Sequence, residues 1–119
     1  MSLNRQTFYA LDQQVRTISR VYHEYYLRLF VADTAKERGH HYQINAEEKV
    51  LMGLRTAYSY VRTIDEIIAT LSNDAQLIIK NDYLNVSEPQ WWLAHYKPNE
   101  YFLLKKKSLF DFLARQRHV

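Results

Sequence analysis

The chain contains no cysteine, and only two glycines and two prolines occur among its 119 residues. The missing thiol excludes disulfide bonds, cysteine nucleophiles and thiolate zinc sites. Two glycines cannot supply a glycine-rich loop for phosphates, nor the tight turns that many short strands require. At 47% hydrophobic and 24% charged residues, the composition is that of a globular chain. These features favour an all-α protein with long helices.

A long apolar run is also missing. No segment approaches the ~20 apolar residues that a membrane-spanning helix needs. The opening stretch, MSLNRQTFYALDQQ, is too polar for a signal peptide. We therefore expect a cytoplasmic protein without a membrane partner.

Positive charge is concentrated near the C-terminus. The chain carries a net charge of +3, and the segment from Lys97 to Val119 holds six bases and two acids, a net +4. The first 96 residues are therefore close to neutral. A basic end of this kind can meet a phosphate backbone, although bases at a helix end also serve solubility and the helix dipole.

Two apolar stripes with alternating gaps of three and four residues predict two long helices. We place the first helix at 5–38, with Gly39 as its stop, and the second at 46–71, with Asn45 as its N-cap. The short connection His40–Ile44 predicts an antiparallel hairpin. The stripes consist of Phe8, Leu11, Val15, Ile18, Tyr22, Tyr25 and Leu29, and of Val50, Leu54, Ala57, Val61, Ile64, Ile68 and Leu71.

Three shorter helices are predicted after the hairpin. Ser72 caps a helix at 73–84, and Ser87 with Gln90 resembles a capping box for a short helix at 88–95. Pro98 interrupts that helix and begins a last one at 98–116. The whole, 1–119, is predicted to be a single domain, with a hairpin at 5–71 and a compact three-helix part at 72–117.

No arrangement of side chains suggests catalysis. The acids, which include Glu47, Glu48, Asp65, Glu66 and Asp82, are scattered over helix surfaces, and no nucleophile motif is present. We expect no enzymatic activity and no cofactor. Adjacent His40 and His41 offer a metal site as the weaker alternative, because no two histidines have the spacing that shares a helix face.

Aromatic residues offer packing or contact surfaces. Tyr22 and Tyr25 fall on the first stripe and are expected in the core, whereas Tyr26 and Tyr60 are open to an interface. Neighbouring residues on a helix point about 100° apart. The pair Trp91-Trp92 is therefore interpreted as a clamp in which one ring enters the core, without an indication of which.

The stretch IDEIIATLSNDAQLIIKNDYL (64–84) resembles the opening of region four in bacterial sigma factors and in phage ArpU-type transcription regulators. The continuation WWLAHYKPNEYFLLKKKSLFDFL (91–113) is similar to the recognition helix of those proteins. The resemblance covers about 64–113, less than half of the chain. Its matching residues are Leu71, Ser72, Asp74, Ile78, Ile79, Tyr83 and Leu84, then Tyr101, Phe102, Lys105, Lys106, Lys107, Ser108 and Leu109.

This resemblance implies a helix-turn-helix whose last helix reads double-stranded DNA, as in a bacterial or phage transcription regulator. Asn99, Glu100 and Leu103 would point towards bases, and Lys97 with the three lysines would contact phosphates. Together with the basic C-terminal end, it gives the candidate nucleic-acid-binding residues Lys97, Asn99, Lys105, Lys106, Lys107 and Arg115.

An alternative function follows from where the chain departs from the family. The family's arginine within the recognition helix corresponds to Leu103, and arginine is the residue that contacts guanine in a bidentate way. The alternative is a structural or adaptor protein with a degenerate helix-turn-helix that does not bind DNA. Such a protein would self-associate or bind a protein partner through its helical surfaces.

Overall fold

The structure, a computed structural model, describes the backbone of residues 5–37 and 44–117 and the side chains of 7–31 and 52–117. Every element within those ranges is helical, so the predicted all-α class is confirmed. The elements in chain order are α1 (Arg5–Glu37), α2 (Ile44–Ala69), α3 (Asn73–Ile79), a π-helical turn (Lys80–Leu84), a 3-10 turn (Trp91–Ala94) and α4 (Pro98–Gln116).

The long helices α1 and α2 form the predicted antiparallel hairpin. The Tyr22 hydroxyl donates to Asp65 Oδ1 over 2.9 Å, and the rings of Tyr25 and Tyr60 lie 5.3 Å apart. Later residues of α1 thus meet earlier residues of α2. Gly39 and most of the connection His40–Ile44 lie outside the described residues. Because α2 begins at Ile44, Asn45 lies inside its first turn, and the predicted cap there was wrong.

The helix α2 ends two residues earlier than the spacing predicts. The backbone amides of Thr70 and Leu71 donate to Ile67 and Ile68, which are bonds of the tighter i to i−3 type. The Thr70 hydroxyl also donates to the Ile67 carbonyl over 2.6 Å. These bonds satisfy carbonyls that the helix end would otherwise leave free, and they stop α-helical winding at Ala69.

The predicted helix 73–84 is divided into α3 and the π-helical turn. Ser72 caps α3 as expected, because its hydroxyl accepts from the Ala75 amide over 3.2 Å. Beyond Ile79 the winding loosens, and the Asn85 amide donates to the Lys80 carbonyl. The Asn81 side-chain amide occupies the Leu77 carbonyl over 2.8 Å. In an α-helix the backbone amide of Asn81 would donate to that oxygen, so the side chain competes for it at the point where the winding changes.

The predicted helix 88–95 was wrong. Only Trp91–Ala94 is helical, and its bonds have 3-10 spacing. Ser87 does not act as a cap, because its hydroxyl donates to Asn81 Oδ1 over 2.8 Å. Ser87, the first residue of the capping-box pattern, instead links the connecting segment to the π-helical turn. By contrast, α4 begins at Pro98 and ends at Gln116 as predicted.

One hydrophobic core joins all four α-helices. Its buried residues on α1 are Leu11 and Val15, and α4 contributes Leu109, Phe112 and Leu113. Phe8, Ile18 and Tyr22 pack against the same cluster. The C-terminal elements thus cover one end of the hairpin, and the molecule is elongated, with extents of 58 × 30 × 23 Å. The remaining buried members of the core are Ile64, Ile67, Ile68, Leu71, Ala75, Ile79 and Tyr83.

Candidate nucleic-acid interface

Helix α4 presents one face to the core and the opposite face to the surroundings. The inward face is set by buried side chains at helical spacing, namely Tyr101, Ser108, Leu109, Phe112 and Leu113. On the opposite face Leu103 is 66% exposed and Phe110 is 58% exposed. Asn99 and Lys107 lie on that outward side as well, and both are exposed. The outward face therefore mixes polar, basic and apolar groups.

Three of the predicted basic residues are accessible. Lys97 precedes the helix in extended conformation and is exposed, as is Lys107. Lys106 is partly exposed, and its Nζ lies 4.6 Å from the centre of the Phe102 ring. These three lysines and Asn99 form the accessible part of the predicted site, which we call the α4 face.

Lys105 points the other way. Its Nζ lies 3.2 Å from Asp82 Oδ2, and only 14% of each side chain is exposed. The same ammonium lies 5.3 Å from the centre of the Tyr83 ring and 5.7 Å from that of Tyr101. A contact to phosphate would require Lys105 to leave a carboxylate and these rings. Its predicted role as a phosphate contact is thus at odds with its packing between α4, α1 and the π-helical turn.

Asp82 collects donors from three places in the chain. It accepts from Trp91 Nε1 over 2.8 Å, from the Tyr101 hydroxyl, and from Lys105. Burial and the hydrogen bond to Asp82 raise the pKa of Tyr101 well above its ordinary value. We call these four residues the Asp82 cluster. Sequence reasoning missed it, because Asp82 has the spacing of an ordinary surface acid.

A second, partly buried carboxylate supports the same region. Asp12 accepts from the Tyr83 hydroxyl over 2.6 Å and from Arg16 Nε over 2.8 Å. Burial alone would raise the pKa of Asp12, but the hydrogen bonds from Tyr83 and Arg16 outweigh it and the pKa is lowered. The ionised form of Asp12 is therefore favoured, and it holds Tyr83 beside Lys105.

Arg115 is engaged at the end of α2. Its Nη1 lies 2.5 Å from both the carbonyl oxygen and the hydroxyl oxygen of Thr70. A cation at the C-terminus of a helix satisfies free carbonyls and complements the helix dipole. The structure therefore does not bring Arg115 together with the lysines of the α4 face.

The two tryptophans pack against one tyrosine in different geometries. The Trp92 ring stacks on Tyr101 with centres 4.4 Å apart and planes 6° apart. The Trp91 ring meets Tyr101 edge-on at 6.1 Å and 88°. Both indoles are partly buried, so the expectation that one of them enters the core was wrong. Both indoles contact the Tyr101 ring, and these contacts fix the first turn of α4.

The part of the chain that the structure describes contains neither a candidate metal site nor a candidate membrane-spanning helix. No group of three histidine, aspartate or glutamate side chains there could hold a metal ion. His40 and His41 fall outside it. None of the described helices has the length and apolar character that crossing a membrane requires.

Comparison with protein families, with curated proteins and with solved structures finds no match to this chain. The resemblance to region four of sigma factors therefore stays a prediction.

Proposed function

We propose that this protein binds double-stranded DNA without catalysing a reaction, through the α4 face, as a helix-turn-helix transcription regulator does. The observation that carries the proposal is the placement of three lysines at and along α4: Lys97, just before the helix, and Lys107 are exposed, and Lys106 is partly exposed. Cations spaced along a helix can neutralise successive phosphates, which supplies most of the affinity of non-specific DNA binding.

The elements that precede α4 help to fix its position, as a helix that contacts DNA with its outward side requires. Tyr96, which follows the 3-10 turn, donates its hydroxyl to Asp74 on α3 over 2.5 Å. The Asp82 cluster fixes the inward side of α4. Asn99 lies in the first exposed turn, where a recognition helix meets base edges, and an amide can bond to adenine there.

One acid opposes this function. Glu100 is exposed in the first turn of α4, where phosphates would approach. It stabilises the helix through the dipole but repels a phosphate backbone. If α4 contacts DNA, Glu100→Gln should strengthen binding.

The decisive measurement is fluorescence anisotropy of labelled random-sequence duplex DNA, titrated with the protein at about 50 and about 200 mM salt. Three phosphate contacts correspond to a salt slope of about −2.7, or about a 40-fold loss of affinity over that range. Lys106→Glu with Lys107→Glu should weaken binding and reduce the slope by about 1.8. Absence of binding at the lower salt concentration would overturn the proposal.

A matched control variant is available on α2. Arg55 and Arg62 are exposed there, and Arg55→Glu with Arg62→Glu changes the net charge by the same amount as the lysine pair. It should leave affinity close to that of the parent at about 200 mM salt, where the Debye length of about 7 Å screens distant charge. If both double variants weaken binding equally, only net charge matters and α4 is not the contact surface.

A second candidate is a protein-binding adaptor, because Leu103 and Phe110 expose more than half of their side chains between the lysines. Exposed apolar groups beside basic side chains suit an acidic amphipathic helix of a partner protein. Under this alternative a partner binds the parent and is lost with Leu103→Asp and Phe110→Asp. A chain that binds DNA but captures no partner would exclude it.

A further inference from the structure

A cavity of about 300 Å³ lies where the hairpin meets the π-helical turn. Helix α1 contributes Tyr22, His23 and Tyr26 to its lining, and α2 contributes Asp65. All of its lining residues lie within the described ranges. Ligand sites in proteins have volumes of about 300–1,000 Å³, so this one is of a size to hold a small molecule. We call it the hairpin cavity.

The third wall of the hairpin cavity comes from the segment in which α3 loosens into the π-helical turn. Lys80 and Leu84 lie on that turn, and Asn85 follows it directly. The Asn85 amide donates to the Lys80 carbonyl over 2.7 Å, which closes the wide turn. Single turns of π-helix next to α-helices are rare and are frequently found at functional sites. The change of winding and the cavity therefore occur at the same place in the fold.

The carboxylate of Asp65 has one oxygen to offer to a ligand. The Tyr22 hydroxyl donates to its Oδ1 over 2.9 Å. Burial and this hydrogen bond raise the pKa of Tyr22 well above its ordinary value, so Tyr22 stays a neutral donor. Within the described part of the chain, the Asp65 side chain has no further hydrogen-bond or ion-pair partner. Asp65 Oδ2 is therefore available to a cation in the hairpin cavity.

A cation lines the same cavity without pairing with that carboxylate. Lys80 is exposed, and among the described residues no ion pair joins it to Asp65. An anionic ligand would meet Lys80 but be repelled by Asp65, and a cationic ligand would meet Asp65 but be repelled by Lys80. A ligand that carries both an ammonium and a carboxylate group satisfies both side chains with charge-assisted hydrogen bonds. The charges of the cavity therefore favour a small zwitterion.

Aromatic rings form the rest of the wall. The rings of Tyr22 and Tyr26 stack with centres 6.1 Å apart and planes 18° apart, and His23 meets Tyr22 edge-on at 5.8 Å. His23 Nε2 donates to the Tyr83 carbonyl over 3.1 Å, since a carbonyl can only accept, and this bond ties α1 to the π-helical turn. Tyr26 is 56% exposed, so its ring has surface left for a further aromatic ring.

We propose that the hairpin cavity binds a free aromatic amino acid. The ammonium group of the ligand meets Asp65, and its carboxylate meets Lys80 and the side-chain amide of Asn85, which can donate to it. The aromatic ring of the ligand lies against Tyr26. This binding goes beyond the function proposed above and does not depend on it, because the cavity shares no residue with the α4 face.

The test is isothermal titration calorimetry of the full chain at neutral pH with L-phenylalanine and with L-tryptophan. At least one of them should bind with a dissociation constant of about 1 mM or lower. Two analogues of phenylalanine each lack one charged group: phenethylamine has no carboxylate, and hydrocinnamate has no ammonium. Each should bind about tenfold more weakly or worse. An analogue that binds as tightly as phenylalanine, or no binding of either amino acid up to about 10 mM, would overturn the proposal.

Two variants locate the binding site. With Asp65→Asn, the preference for phenylalanine over hydrocinnamate should disappear, and with Lys80→Gln the preference over phenethylamine should disappear. Glu66→Gln on α2 and Arg20→Gln on α1 are matched controls that make the same changes of charge outside the cavity, and they should bind like the parent. All four side chains are exposed, so circular dichroism should show unchanged helix content. Controls that lose binding as strongly as the two cavity variants would place the ligand elsewhere and contradict the assignment.

Discussion

Lys105 of α4 and Asp82 of the π-helical turn form an ion pair whose two side chains are both 14% exposed. The same carboxylate accepts from Trp91 on the 3-10 turn and from Tyr101 on α4. One acceptor thus joins three elements that lie up to 23 residues apart in the sequence. Because α3 and α4 meet across a connecting segment with little regular structure, this contact positions α4.

Asp82→Ala should destabilise the protein by about 3 kcal/mol. The substitution leaves the Lys105 ammonium, the Trp91 N–H and the Tyr101 hydroxyl without their acceptor, and removing one partner of a buried ion pair costs about 3–5 kcal/mol. Urea unfolding, followed by circular dichroism and tryptophan fluorescence, measures the loss. Lys105→Met keeps the side-chain stem against Tyr83 and should cost only about 1 kcal/mol. Equal costs for the two variants would contradict this role for Asp82.

Lys105 and Lys107 should respond differently to the same substitution. Lys105→Glu sets a second carboxylate beside Asp82 and should cost at least about 3 kcal/mol, since neither acid would have a partner for its charge. Lys107→Glu changes an exposed residue and should stay within about 0.5 kcal/mol. Chemical denaturation of both variants makes the comparison. If they are equally stable, Lys105 is not held inward in solution.

The lysine run also shows how far sequence reasoning reaches. The spacing of apolar residues predicts where α4 lies, and the 100° step between neighbours requires that the three lysines diverge. It does not indicate which lysine turns inward. That direction depends on Asp82 and on the rings of Phe8 and Tyr83, which come from distant parts of the chain.

Local capping patterns were reliable where no competing partner was near. Ser72 precedes an acid in the first helical turn, Asp74, and Ser87 precedes Gln90 at capping-box spacing, yet only Ser72 caps a helix. Ser87 is taken by Asn81, which itself bonds to a helix carbonyl. A pattern read over four residues cannot register a partner six residues away, and the predicted helix 88–95 failed for this reason.

Ser72→Ala should cost about 1 kcal/mol, because the Ala75 amide at the start of α3 loses its acceptor. Ser72→Asp is the matched variant, since an aspartate also accepts at this position and suits the helix N-terminus. Thermal unfolding should show a lowered midpoint for the alanine variant and an unchanged midpoint for the aspartate variant. A loss of the same size in both would mean that the hydroxyl, rather than capping, is required.

Gly53→Ala should stabilise the protein by about 0.5–1 kcal/mol. Gly53 lies within α2, where glycine costs that amount relative to alanine, and an added Cβ would meet no atom within 4 Å. The thermal midpoint should rise by about 3–5 °C. An unchanged or lower midpoint would show that α2 is not helical at this position in solution.

Alkaline pH should unfold the protein as its tyrosines ionise. Burial and the hydrogen bond to Asp74 raise the pKa of Tyr96 to about 12, and burial with a bond to Asp12 raises the pKa of Tyr83 further. A tyrosine whose pKa is raised by folding stabilises the native state. This stabilisation is fully present at pH values below the pKa of tyrosine in the unfolded chain, which is about 10. This contribution disappears as the pH rises from 10 towards 12.

Asp74→Asn tests the local cause of the Tyr96 shift. Removing the negative charge beside the hydroxyl should bring the ionisation of one tyrosine to lower pH, which absorbance at 295 nm detects. Circular dichroism over the same range should show that helix content falls in the parent only after this absorbance begins to rise. If the asparagine variant titrates like the parent, the contact between Tyr96 and Asp74 does not persist in solution, and the segment that precedes α4 lacks this bond to α3.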